Sequence, residues 1–189
     1  MKDILDKLIL ENGIELDEFP ELDLYMDQVI QLFENTMSPL KRNEEEKILT
    51  KTMINNYAKG KLLFPINNKK YSKEHLILMA FIYNLKGSLS INDIKSSLDN
   101  IIEKYNEDNE YPLRELYCSY LKYSKEDAEE FKESVERKIN KVQNDIDNKY
   151  SSDADYEKKF LLLCSLVNMS NMYRRMSEKL IDEFFAEQE

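Results

Sequence analysis

Residues 47–73 read KILTKTMINNYAKGKLLFPINNKKYSK, a stretch with seven lysines and no acid. The lysines are Lys47, Lys51, Lys59, Lys61, Lys69, Lys70 and Lys73. The whole chain of 189 residues carries 27 Lys plus Arg against 37 Asp plus Glu, a net charge of −10. With the island counted as +7, the other residues hold 20 bases and 37 acids, a balance of −17. An evenly acidic chain repels nucleic acid, whereas one concentrated basic segment offers phosphate a place to bind. Within the island a helical pattern runs from Ile48 to Leu63. It starts near Thr50 or Thr52, either of which can accept from a free backbone N–H, and it closes at Gly60. The apolar run Leu62–Ile66, the turn-forming pair Asn67-Asn68 and the return to Tyr71 predict a short hairpin. A helix, a turn and a hairpin rich in lysine are the parts of a helix-turn-helix with a wing.

The flanking sequence is helical on both sides. Met1–Leu10 reads as a short amphipathic helix ended by Asn12-Gly13, and Ile14–Leu22 as an extended lead-in. Asp23 is the expected cap of a helix with Tyr25, Val29, Leu32, Phe33 and Thr36 on one face, stopped by Pro39. After the island, Ser72 caps a helix with Leu76, Ile77, Met79, Ala80, Ile82 and Tyr83 inward. Ser90 and Asp93 form a capping-box pair that opens a helix with Ile91, Ile94, Leu98, Ile101 and Ile102 inward. A polar, acidic shift at Asn106–Pro112 divides the chain into residues 1–105 and 106–189. Beyond it lie helical patterns over Leu113–Tyr123, Lys125–Lys149 and Tyr156–Phe185. Ala128, Phe131, Val135, Ile139, Val142 and Ile146 approach a heptad seam suited to dimerisation. Phe160–Val167 is apolar nearly all round, which places it at the centre of a bundle or of a dimer.

Composition removes several classes. Only three Gly and four Pro in the chain exclude collagen-like and Pro/Gly-rich disordered states and disfavour many-stranded β folds. No Gly-rich phosphate loop is present, which excludes Rossmann and P-loop enzymes. Apolar runs are too short for a membrane span, and the N-terminus has no signal-peptide pattern, so a cytoplasmic protein without membrane attachment is expected. Cys118 and Cys164 stand 46 positions apart and read as buried thiols in a reducing compartment. His75, the one histidine, has no partner for a metal or a nucleophilic set and reads as a solvated helix-surface residue. The carboxylates follow helix faces without forming acid/base pairs. The expected protein is therefore not an enzyme and takes no cofactor or metal. Tyr105, Tyr111, Tyr117, Tyr120 and Tyr123 cluster within 19 positions and are read as core and interface, with the walls of a small-molecule effector pocket as the alternative.

Met53-Ile54-Asn55-Asn56-Tyr57-Ala58-Lys59-Gly60-Lys61-Leu62-Leu63-Phe64-Pro65 resembles the recognition helix of MerR-type regulators, which runs into a Gly-Leu-Leu-x-Pro element. Asn67–Ser72 sits where that family has its Gly-Tyr-Arg-x-Tyr-Ser wing. Leu76, Ile82, Gly87, Leu89, Ser90, Ile91, Ile94 and Leu98 match its following helix pair. Leu24–Val29 together with Leu49–Tyr57 is similar, more narrowly, to the bacterial family named domain of unknown function 1836, over roughly residues 16–105. The resemblance implies a mainly α protein: a MerR-like winged helix-turn-helix with a small β-hairpin wing, then a C-terminal helical region.

It also implies a dimeric transcriptional regulator on double-stranded DNA. Thr52, Asn55, Asn56 and Lys59 would then address the groove, and Lys51, Lys61, Lys69 and Lys70 the phosphates, with Asn68 at the wing. Departures fall at the contacts themselves. Asn55 stands where the family has Arg, Asn68 where it has Tyr, and Lys69 replaces an Arg, keeping charge without the bidentate fork. The loop Asn35–Lys47 is long, and Glu44-Glu45-Glu46 would repel phosphate. The alternative reading is an interaction module on a winged-helix scaffold that has lost DNA.

Overall fold

In the computed structural model the described residues are 4–5, 7–10, 13–108, 111–147 and 154–185. Among them are two short strands, β1 (Leu24–Tyr25) and β2 (Lys70–Tyr71). Six α-helices accompany them: α1 (Met26–Met37), α2 (Lys51–Lys59), α3 (Lys73–Leu85), α4 (Ile91–Asp108), α5 (Leu113–Asp147) and α6 (Asp155–Phe184). The architecture is mainly helical, as the pattern of apolar residues predicts.

The chain enters through Ile14, a 3-10 turn at Leu16–Glu18 and Phe19, where the sequence predicts plain extended chain. This segment is a buried strap. Tyr117, fully buried on α5, donates its hydroxyl to the Ile14 carbonyl at 2.7 Å. Its ring stacks obliquely on Phe19, whose other side meets Phe33 of α1. Gly13 lets the strap lie flat on α5, since a Cβ there would stand 2.3 Å from Leu121 Cδ2. Burial pushes the Tyr117 phenol well above its usual pKa, so it remains a donor throughout the working pH range.

Asp23 is not the helix cap. Tyr25 precedes α1 with extended backbone, and Leu24–Tyr25 pairs antiparallel with Lys70–Tyr71, in the register Leu24↔Tyr71 and Tyr25↔Lys70. The hairpin expected over Leu62–Tyr71 is thus corrected. Leu62, Leu63 and Phe64 are buried core residues outside any strand, and only the isolated bridge Asn67↔Lys70 closes the turn. The apolar run reads as a strand by composition, but its backbone follows the core surface away from α2. The sheet finds its second strand some 45 residues upstream.

Helix α3 is apolar on nearly every side, with Leu76–Ala80 all buried, and it forms the centre of the first core. Ser90 opens α4 as expected: its N–H donates to Asp93 Oδ2 at 3.1 Å and its Oγ accepts from the Asp93 N–H at 3.2 Å. Residues 113–123 and 125–147, two patterns in the sequence, are one continuous helix of about 50 Å at 1.5 Å per residue. Its first turns, at Leu113, Tyr117 and Leu121, belong to the first core. Its second half joins a smaller cluster in which Val135 and Ile139 pack with Leu5 and Leu162. Part of the seam expected to dimerise is therefore filled from within the chain by α6. Cys118 and Cys164 are both exposed, against the expectation of buried thiols, because each lies on an outward helix face.

Replacing Tyr117 by Phe leaves the ring in place and strands the Ile14 carbonyl. Urea denaturation of that variant should show a loss of about 1–3 kcal/mol, the cost of one buried unsatisfied acceptor.

Candidate nucleic-acid interface

Helix α2 is nine residues long and starts at Thr50, whose Oγ1 accepts the Met53 N–H at 3.2 Å. Ile54 and Tyr57 face inward and are buried. Tyr57 packs its ring into the core, and burial raises its pKa. Lys51, Thr52, Asn55, Asn56 and Lys59 are all exposed and fall on the opposite side of the helix. The helix closes at Gly60, as its sequence predicts, in a Schellman closure: Leu62 N–H bonds the Tyr57 carbonyl at 2.9 Å and Lys61 N–H the Ala58 carbonyl at 3.2 Å. The left-handed residue of that closure is Lys61, with φ 59°, while Gly60 keeps a right-handed φ of −73°. The sequence assigned this role to Gly60; a lysine carries it.

The turn after α2 repeats the pattern. Asn68 and Lys69 have φ 51° and 58°, and the Lys70 N–H bonds the Asn67 carbonyl at 3.0 Å, a two-residue turn with both central residues left-handed. Among the described residues all three positive-φ residues outside glycine therefore lie within the basic island, and two are lysines. A non-glycine residue held there costs of order 1 kcal/mol or more. Asn68 and Lys69 are exposed, and Lys70 is partly covered, its ammonium 5.3 Å from the centre of the Tyr25 ring.

Helix and turn converge on the start of α1. Lys51 pairs with Asp27 at 2.7 Å while Lys70 lies over Tyr25, two residues away. The N-terminal end of α2 and the return arm of the turn thus both reach the residues around the start of α1. Among the described residues Lys47, Lys59, Lys61 and Lys69 have no acidic partner. Lys73 leaves the group: it is buried and pairs with Glu21 at 2.7 Å. The long loop before α2 is folded on itself. Lys41 pairs with Glu34, Arg42 N–H bonds Glu46, and Lys86 reaches across to the Ile48 carbonyl at 3.1 Å. Burial lowers the Lys86 pKa against the raising field of Glu46.

The segment between α2 and α3 is fixed by His75, which is buried rather than solvated as expected from its lone occurrence. Its Nδ1 accepts the Ser72 N–H at 3.1 Å, so Nε2 carries the proton and donates it to the Phe64 carbonyl at 3.2 Å. The ring meets Phe64 and Tyr71 edge-on. A histidine thus takes the third helical position that Glu or Gln holds in a capping box. The Ser72-x-x-His75 spacing was the signal that could have found it. Beside it, Arg114 of α5 bonds Glu74 at 2.7 Å and Glu21 at 3.2 Å, and Glu21 also holds Lys73. Burial alone would raise the Glu74 pKa, but the hydrogen bond from Arg114 leads a set of interactions that holds it below the usual value. The tyrosines divide: Tyr117 is core, Tyr105 stacks on Phe64 at 4.1 Å, and Tyr120 and Tyr123 line an apolar groove of about 330 Å³ with Phe81 and Leu98.

Burial, opposed by the Phe64 carbonyl and by the Glu74 and Asp23 carboxylates, depresses the His75 pKa below 6.5. The unfolded chain takes up this proton at a higher pH than the folded one, so stability is full above pH 6.5 and falls as pH drops below it. The Glu21 and Glu74 contributions are lost only lower, as pH falls through their depressed values under 4.5. Denaturation midpoints measured from pH 7.5 down to about 5 should decline in wild type. His75→Gln keeps an acceptor and a donor without titrating, and its midpoint should stay flat over the same range.

No curated protein and no solved structure matches the chain. A family model does, over residues 14–120, from the buried Ile14 strap to the first turns of α5. That span covers more than half of the chain and includes the whole basic island with every residue of the candidate interface, and so the chain belongs to the family described as domain of unknown function (DUF1836).

Proposed function

We propose that this protein is a non-catalytic, dimeric DNA-binding regulator of the MerR-like winged helix-turn-helix type, with α2 in the major groove and the Asn67–Lys70 turn as its wing. The observation that carries the reading is the use of strained backbone to present lysine. At Lys61 and Lys69 glycine would serve the chain better, and each lysine is exposed with no acid beside it among the described residues. Backbone strain of this kind concentrates where a side chain is needed for contact. Phosphate supplies that need, since each cation delivered to the backbone releases a condensed counterion. On the exposed side of α2, Thr52, Asn55 and Asn56 offer hydroxyl and amide groups to base edges, the amides suiting adenine.

A second reading, an interaction module without DNA, draws on the acids close by. Asp27 neutralises Lys51 at the head of α2, and Glu44–Glu46 occupy the loop that leads into it. The two readings separate in an electrophoretic shift with genomic fragments at two salt concentrations. Regulator function predicts retardation at low salt that weakens steeply as salt rises, and its absence at low salt removes DNA from the account.

Charge reversal at the wing, Lys69→Glu with Lys70→Glu, should abolish retardation while the circular dichroism spectrum stays unchanged. Lys61→Gly separates strain from contact. It should raise the unfolding free energy by about 1 kcal/mol, the relief of a left-handed non-glycine residue, and weaken DNA binding by the loss of one phosphate contact.

A further inference from the structure

Helix α6 packs inward through Leu162, Leu166 and Ile181, yet most of its large apolar side chains face away from the chain. Tyr156, Phe160, Leu163 and Val167 are 73%, 51%, 58% and 51% exposed, and their spacing of 4, 3 and 4 places them on one stripe. From Phe160 to Tyr173 there are fourteen consecutive residues without a charged side chain, in a chain that is 34% charged. This region lies beyond the residues that the family model matches.

We infer that the Tyr156–Phe160–Leu163–Val167 stripe is the surface on which a second copy of this chain docks, α6 against α6 about a two-fold axis between Phe160 and Leu163. The inference gives the dimer of the proposed regulator its contact surface, and it is tested without DNA. Three observations select a second copy as the occupant. The 4, 3, 4 spacing is the same in both directions, so an antiparallel copy sets Tyr156 against Val167 and Phe160 against Leu163, as an isologous contact requires. The stretch has no charge, so two strongly acidic chains meet there without opposing like charges. The area also suffices: half-exposed or more, the four side chains offer on the order of 500 Å² of apolar surface per copy, against about 800 Å² of total surface per partner in a standard interface. The heptad seam of α5 does not compete, because Val135 and Ile139 are already packed against α6 of their own chain.

Sedimentation equilibrium of the full chain at micromolar concentration should return twice the 22.5 kDa chain mass. Phe160→Lys with Leu163→Lys should return the monomer mass with unchanged helix content, and Val167→Arg alone should weaken association at least tenfold. Met176→Gln with Leu180→Gln, on the other exposed stripe of α6, should leave the dimer intact. A monomeric wild type overturns the inference, as does a dimer that survives the lysine pair. Loss of dimer through Met176 and Leu180 alone would move the contact off this stripe and overturn it equally. A dimer that forms as expected but fails to retard DNA would count against the regulator and leave this surface standing.

Discussion

The His75 ring joins two pieces of chain that no regular hydrogen-bond ladder connects. One nitrogen receives the N–H that starts α3 and the other gives its proton to the carbonyl of Phe64, in the stretch that leaves α2. Helix α2 is only nine residues long, marginal by itself in water. Its placement rests on Ile54 and Tyr57 beneath it, on the Schellman closure behind it, and on this imidazole, which stops Phe64–Pro65 from drifting off the core. The two-residue sheet is just as small and needs the same support. Tyr71 packs on the His75 ring, and Leu24 reaches Tyr71 across the sheet. The exposed basic residues owe their fixed geometry to this buried neutral group.

Around it the charges sort by depth. Lys73, next to Ser72, is drawn inside by Glu21, and Arg114 ties the same Glu21 to Glu74. The network binds the N-terminal segment, α3 and the start of α5 at one point. Acids supplied from outside the basic island thus take up Lys73 inside and Lys51 at the head of α2, and leave Lys47, Lys59, Lys61 and Lys69 without an acidic partner among the described residues. The net charge of −10 is therefore unevenly distributed along the chain, with +7 on residues 47–73.

Much of the local structure was legible in the sequence. The Ser72 and Ser90 starts, the inward face of α3, the Asn67-Asn68 turn and the exposure of Lys51, Thr52, Asn55, Asn56 and Lys59 all follow from spacing and cap chemistry, as do the inward Ile94, Leu98 and Ile102 of α4, where Ile91 in the first turn is instead exposed. What escaped it depends on distant partners. Leu62–Phe64 looks like a strand because it is apolar, but the strand that pairs with Lys70–Tyr71 lies at Leu24–Tyr25, a choice no local pattern encodes. Gly60 looks like the residue that leaves the right-handed region, yet the closing hydrogen bonds put Lys61 there. His75 looks solitary because its partners are backbone atoms, which a reading of side chains does not see. The seam along α5 was visible as a pattern, but its occupant, α6 of the same chain, was not.

The continuous helix α5 begins inside one core and ends beside another, with no break where the sequence suggested one. Over about 50 Å it is a stiff lever, and a tilt of about 5° at Tyr117 moves its far end by roughly 4 Å. Motion of the strap or of the Arg114 network would therefore arrive amplified where Val135 and Ile139 meet α6, and strain applied there would return, geared down, to the foot of α3.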